Sequence, residues 1–346
     1  MMKKNLIAAA ALLAMAGAAN AQLSIYGLID MSYGQSLIDN VSVNGVGYRL
    51  DGCTGDVLVG KNKADFHSGG DDCSSQGNST TRLGFKGTTD VGGGIKANFK
   101  LETSGIQSDG EKNGALFGRQ AWLGFSGGFG EVRLGRQDSV PFQVMSDFDF
   151  NGASNGVSAG GYSGVGVFAR GRQTRSLQYF TPAMGGVTAQ FGYVPKGNRG
   201  DTAKGIFSAG VKYAAGPLAV AASIQTKSDS STKDFSSIAG SYDFGVAKVM
   251  AGYADGGSIA SGGSGKGPSL GIVAPLGGFN IGAIYANNTD SLVKIKSYEL
   301  FLNKEIFKNT YAYAEYGDWK GNVNVGESGY LSAKTSGYAL GVIFVF

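Results

Sequence analysis

Histidine occurs once in the 346 residues, cysteine twice and proline six times. Beyond residue 22 no apolar run reaches the roughly 18 residues of a helical membrane span, so helical spans are excluded. A single histidine, His67, gives a histidine-based triad or a His-rich metal site little to build on. Scarce proline leaves strands unbroken, and 59 glycines, 20 phenylalanines and 16 tyrosines suit a long series of strands and turns. Lys3 and Lys4 apart, 28 of the 30 basic residues face 26 acidic ones, so bulk charge carries no nucleic-acid footprint. Any charge that matters is local.

Two glycine patterns have the outline of nucleotide motifs and fail on context. Gly92-Gly93-Gly94-Ile95-Lys96-Ala97 is followed by strand-like alternation, not by a helix, and Gly265-Lys266-Gly267 lacks the Ser or Thr of a phosphate loop. No cofactor and no metal site is expected, and enzymatic readings are poor.

At the amino end, Lys3 and Lys4 precede an apolar stretch from Leu6 to Ala19, and Ala19-Asn20-Ala21 offers a small-residue cleavage site. Residues 1–21 are therefore expected to be a secretory signal peptide and residues 22–346 the mature domain. Cys53 and Cys73 lie in a polar, Gly-rich stretch of that domain. In an exported chain they read as one structural disulfide closing a local loop. A metal site recruiting His67, Asp71 and Asp72 is the alternative, and its spacing matches no zinc pattern.

From Gln22 onward one unit recurs: about ten residues of alternating character, a short Gly or Asp turn, a second such run, then a longer polar loop. Short turns fall at Thr89–Gly94, Gly127–Gly130, Pro182–Gly186, Ala214–Pro217, Asp243–Gly245, Pro275–Gly278 and Ile306–Asn309. Sixteen strands of about ten residues would leave loops averaging roughly 17 residues, and an eight-stranded barrel would leave too much chain over. Ile95, Ala97, Phe99 and Leu101 share one face of their run, opposite Lys96, Asn98, Lys100 and Glu102. In the run before it, Leu83 and Phe85 oppose Arg82 and Lys86. A sheet apolar on one face and charged on the other predicts lipid outside and water inside, with Lys86, Lys96, Lys100 and Glu102 toward the lumen. The final strand, with Tyr338, Leu340, Val342, Phe344 and Phe346 in one stripe, is expected to close the barrel against the first strand near Ser24–Asp30.

Long strings in this chain resemble the general porins of Gram-negative bacteria, in particular the trimeric betaproteobacterial porins of Neisseria and Burkholderia type. They are Ser24–Asp30, Thr81–Thr88 with Asp90–Gly94, Gly118–Gly124 and Gly127–Arg136. The resemblance covers essentially the whole chain. It implies an all-β, 16-stranded antiparallel transmembrane barrel in the outer membrane, a homotrimer, and passive diffusion of small hydrophilic solutes and inorganic ions. It also implies contact with outer-membrane lipid and lipopolysaccharide, and a terminal signal at Phe346 and Phe344 read by the barrel-assembly machinery.

The segment Asp138–Gly171 is long and irregular enough to mark a functional loop. By position it is the third outer loop, which in the family folds inward and narrows the pore, and it carries Asp138, Asp147 and Asp149. Three arginines match the family's anion-attracting positions: Arg82, Arg119 and Arg172, with Arg136 and Arg175 as substitutes. Arginine suits the task because its charge persists at any relevant pH and it offers several donors to a carboxylate or phosphate. Low-dielectric walls would focus that field and raise local anion concentration, giving a modest anion preference. Each arginine could instead pair with an acid, Glu102 among them. Two other functions remain open: a ligand-specific channel using Phe148, Phe150 and Tyr162, and a closed structural or adhesin barrel.

Overall fold

A computed structural model of the chain describes residues 22–35, 37, 41–43, 46–50, 57–59, 64–70, 77–103, 105–111, 114–166, 171–197, 204–227, 233–257, 265–290, 293–324 and 330–346. The expected leader, residues 1–21, lies outside the described residues, as do Cys53, Cys73, Asp71 and Asp72.

Sixteen long strands follow one another. The first eight are β1 Gln22–Gln35, β2 Arg82–Gly92, β3 Ile95–Glu102, β4 Gln120–Gly127, β5 Gly130–Asp138, β6 Arg172–Phe180, β7 Val187–Val194 and β8 Ile206–Ala215. The second eight are β9 Leu218–Gln225, β10 Phe235–Asp243, β11 Lys248–Asp255, β12 Lys266–Leu276, β13 Phe279–Thr289, β14 Val293–Phe307, β15 Thr310–Asn324 and β16 Tyr330–Val345. Each pairs antiparallel with the next, and β16 returns to β1, so the wall closes without a free edge. Two residues join β2 to β3, β4 to β5, β8 to β9, β12 to β13 and β14 to β15, each within a turn expected from the sequence. In outer-membrane barrels such short turns lie on the periplasmic rim. Four shorter strands, Val41–Val43, Val46–Leu50, Val57–Val59 and Asp65–Ser68, belong to the first long connection.

The two faces of the wall differ as expected. On β1, Leu23 and Ile25 are 62% and 63% exposed, whereas Asp30 is 0% exposed. The same order runs around the barrel: Leu123, Leu134, Phe191, Phe207, Ile238 and Leu300 are exposed, while Gln178, Ser208, Ser237, Ser269, Ser297 and Glu299 are buried. An apolar exterior over a polar interior is stable only with lipid outside.

The seam is longer than the sequence pattern suggested, and it is displaced. β16 pairs with Leu28–Gln35, so the closing strand meets the upper half of β1 and overlaps the expected Ser24–Asp30 only at its end. The lower half, Gln22–Leu28, pairs with β2 on the other edge. Tilted strands must stagger to close a barrel, and this offset is that stagger at the junction of the two termini. Strand Asp65–Ser68 covers β1 from Met31 to Gly34 above β2.

Between β5 and β6 the chain forms α1 Val140–Met145, a 3-10 turn Ser146–Phe148 and α2 Ala159–Ser163. Ser139 caps α1, its hydroxyl accepting from the Phe142 N–H, and Pro141 occupies the first turn, where no intrahelical donor is needed. Val140, Val144, Met145 and Phe148 bury against Ala221, Ala239 and Met250 of the wall. Gly210 admits the helix: a Cβ there would lie 2.7 Å from Val144 Cγ2. Ala159 and Val165 pack against Ile284, Ala286 and Phe301.

Candidate functional site

Three guanidinium groups converge on one cavity. Arg82 begins β2, Arg119 immediately precedes β4, and Arg172 begins β6; all three line a space of about 660 Å³. Asp147, Asp149 and Phe150 of the β5–β6 connection line it from the other side. Strand parity sends Arg82 to the inner face, because its neighbour Leu83 belongs to the apolar stripe. Arg119 would fall on the outer parity of Ala121, Leu123 and Phe125, but it stands one residue before the strand begins. Its side chain turns back to Glu102.

The acids near these arginines are already engaged. Glu102 accepts from Arg119 Nε at 2.7 Å and from the Tyr26 hydroxyl at 2.7 Å, and lies 3.3 Å from Lys100 Nζ. Asp138 accepts from Gln120 Nε2 at 2.7 Å and lies 3.2 Å from Arg172 Nε, at an angle too oblique for a hydrogen bond. Asp147 pairs with Lys212 of β8. Asp149 is buried beneath the cavity, and burial pushes its carboxyl above the usual carboxylate range, against the opposing pull of backbone N–H groups and Ser158. Arg82 donates to Thr80 O at 3.0 Å and, among the described residues, has no carboxylate within ion-pair distance.

Two of the expected arginines are not brought into the cluster. Arg136 falls on the opposite parity from Gly135 and Gln137, and its guanidinium is held by Gly118 O and Thr174 Oγ1. Arg175 sits in the bulge that shifts register between Gln173 and Ser176, with φ of 53°, and is exposed. A bulge re-aims its side chain, which a count by twos along β6 does not register. Of the lysines expected toward the lumen, Lys86 and Lys100 lie 5.2 and 5.4 Å from the Tyr26 ring centre, whereas Lys96 is exposed near the β2–β3 turn.

The connection that lines the cavity opposite the arginines is pinned by polar bonds to β14 and β15. Asn151 Nδ2 donates to Glu299 of β14 and, at 2.9 Å, to Glu315 of β15. Ser154 Oγ and Asn78 Nδ2 also donate to Glu315, at 2.8 and 3.0 Å, and the Ala159 N–H donates to Glu299 at 2.8 Å. Of the aromatic residues there, Phe148 is buried in the α1 packing and Tyr162 donates to Asn155 O, leaving Phe150 against the cavity with Lys248 5.2 Å from its ring centre. No continuous aromatic track forms among the described residues. His67 is buried in its short strand, and no group of metal-ligating side chains occurs among the described residues.

A family model for the Gram-negative porin matches residues 8–324. The chain belongs to the Gram-negative porin family. Outer membrane porin protein 32 of Delftia acidovorans is 34% identical over 269 residues, covering 72% of this chain and 68% of that protein. An outer membrane porin of Bordetella pertussis is 30% identical over 380 residues, covering 98% and 94%. Among solved structures, an anion-selective porin from Comamonas acidovorans has TM-score 0.65 at 24% identity, covering 94% of this chain and 100% of its own. The porin is therefore an outer-membrane channel for passive diffusion, and its closed sixteen-stranded barrel is similar in fold to that structure.

Sequence reasoning missed several groups in the porin's site. Asn78, Asn151, Glu299 and Glu315 carry no motif, and only the fold brings residues more than a hundred positions apart together. Tyr26 had a visible signal, since it shares β1 parity with Ser24 and lies beside Lys86 and Lys100. Arg133, which strand parity places on the same face as Glu131, is held between the rings of Trp122 and Phe180, at 4.3 and 4.2 Å, and bonds Glu131 at 2.7 Å. That makes it a fixture of the lower wall, below the cluster.

Proposed function

We propose that the segment from Ser139 to Gly164 folds into the lumen and narrows it, and that Arg82, Arg119 and Arg172 make this narrowest zone favour small anions. The observation that carries the reading is the convergence of three guanidiniums on one cavity whose acids are already bonded, with no carboxylate partner for Arg82 among the described residues. Burial also favours the neutral form of Asp149, which lowers the opposing charge further. A fixed positive field in a low-dielectric constriction raises local anion concentration without a saturable site. A similar fold serves anion selectivity in the Comamonas porin. The assembly we propose is a homotrimer, as in the family this chain resembles, each subunit carrying its own pore.

The test is a planar-bilayer measurement of single-channel conductance and zero-current potential across a salt gradient. Anion preference that moves toward cations in the R82Q/R119Q/R172Q variant supports the reading. Cation preference in the wild type overturns it, and absence of conductance would mean a closed barrel. Solute flux into proteoliposomes that saturates with concentration would point instead to a ligand-specific channel.

A further inference from the structure

Two aromatic rings stand where the inner face of the barrel is otherwise polar. Phe142 of α1 and Phe150 line the cavity that holds Arg82, Arg119 and Arg172, and both are half-buried. The strand residues turned inward around them include Gln178, Ser208, Ser237 and Ser269. An apolar ring held against water is unfavourable unless a second apolar surface covers it.

Packing accounts for one of the two rings. Phe150 rests on both apolar clusters that hold the β5–β6 connection to the wall, so it has a structural use. Phe142 is placed differently. At about 100° per residue it projects roughly 180° away from the midpoint of Val140 and Val144, the side chains that seat α1 on the wall. The helix thus spends its wall-facing side on packing and carries a ring on its cavity side.

The cavity combines three guanidiniums with two ring faces in about 660 Å³, within the roughly 300–1,000 Å³ of small-molecule sites. A guanidinium can pair with a carboxylate and can also stack on an aromatic face. The second mode already occurs in this chain, where Arg133 lies between Trp122 and Phe180.

We propose that this zone favours aromatic carboxylates over aliphatic carboxylates of the same charge, the carboxylate meeting the arginines while the ring lies against Phe142 and Phe150. The inference rests on the proposed inward fold and arginine field, and adds the class of organic anion that the zone holds longest. Inorganic anions meet the field alone and gain nothing from the rings. Aliphatic acids offer no flat face to a ring or to a guanidinium.

Block of chloride current through the folded porin in planar bilayers tests this, with benzoate and cyclohexanecarboxylate as probes. Both carry seven carbons and are ionised at neutral pH. In the wild type the concentration of benzoate that halves the current should be about two- to tenfold lower than that of cyclohexanecarboxylate, the range expected of an aromatic pair. F142L should bring the two concentrations together, whereas F142Y, which keeps the ring, should hold them apart. R82Q should raise both. Where F142L does not fold, F142Y and R82Q still decide. Equal block or no block by the two acids in the wild type, a difference that survives F142L or is lost in F142Y, or an R82Q pore blocked as before each overturns the proposal. A wild-type pore without anion preference in chloride salts would sink the arginine reading itself, whereas an anion-preferring pore that treats the two acids alike sinks only this inference.

Discussion

Arg119 donates to Glu102 at 2.7 Å, whereas Arg82, across the same cavity, has no acid partner among the described residues. On the proposed reading, pore charge depends on which arginines an acid holds. At about 5 Å in water two unit charges interact by about 0.8 kcal/mol, roughly a factor of four in local ion concentration. R82Q should therefore lower the anion-to-cation permeability ratio by about fourfold. E102Q, by releasing Arg119 and Lys100, should raise it by a similar factor. Zero-current potentials in a salt gradient report both, and shifts of the same sign in the two variants would contradict the charge assignment.

Both shifts should shrink with added salt. The Debye length falls from about 10 Å at 0.1 M to about 3 Å at 1 M, so a field acting across the cavity is screened at the higher concentration. Selectivity that persists unchanged at high salt would point to steric sieving or a specific binding site.

Asp149 adds a pH dependence with a defined sign. Burial raises its carboxyl above the usual range, so it gains a proton while exposed carboxylates still hold their charge. As pH falls through that raised value, one negative charge leaves the cavity wall and anion preference should rise. D149N should remove this step from the pH profile of the zero-current potential. A profile identical to the wild type would exclude Asp149 as its source.

Asn151 holds the β5–β6 connection to two strands at once, through Glu299 and Glu315. N151A leaves both buried carboxylates short of a donor, at a cost of about 1–3 kcal/mol. Backbone amides of α1 and α2 should then exchange hydrogen about 5- to 150-fold faster, while those of β14 and β15 stay protected. Single-channel recordings should show more open-state noise. Unchanged exchange in the connection would mean that the apolar contacts of Val140, Val144 and Met145 alone fix it.

The barrel was legible because its determinants are local: period-two alternation in β2 and β3, two-residue glycine turns, and a lipid-facing stripe at the end of the chain. The arginine cluster was legible in part. Arg82 follows from parity, but Arg119 escapes it by standing outside its strand, and Arg175 escapes it through a bulge. Neither departure leaves a mark in the spacing of residues. The anchors Glu299 and Glu315 depend on strand register, which long connections of variable length conceal from a reading of sequence alone.

Cys53 and Cys73 are expected to form one disulfide within the first long connection. Closing a loop of that length contributes about 3 kcal/mol in the chain-entropy model. The intact protein should weigh two hydrogens less than its reduced form, and reduction should loosen the first connection without opening the barrel. Free thiols in the folded, unreduced protein would refute the pairing.

The carboxyl-terminal ring completes the seam in a way that can be tested from both sides. Phe346 exchanges backbone hydrogen bonds with Gly27 at 2.9 and 3.1 Å, and a Cβ at Gly27 would lie 2.3 Å from the Phe346 ring. Deleting Phe346 removes both bonds and the stacked contact with Phe344, whose ring centre is 6.0 Å away. G27V keeps the terminal residue but displaces its ring, an overpacking cost of about 1–3 kcal/mol. If the ring serves only the seam, the two changes should lower the temperature of barrel unfolding to a similar extent and leave assembly yield alike. If Phe346 also serves as the address read during assembly, its deletion should reduce the amount of folded porin in the outer membrane far more than G27V does, with conductance of the surviving pores unchanged in both. Heat-modifiable gel mobility of outer-membrane fractions, combined with thermal unfolding of the purified barrels, separates the two roles, and equal yields would assign Phe346 to the seam alone.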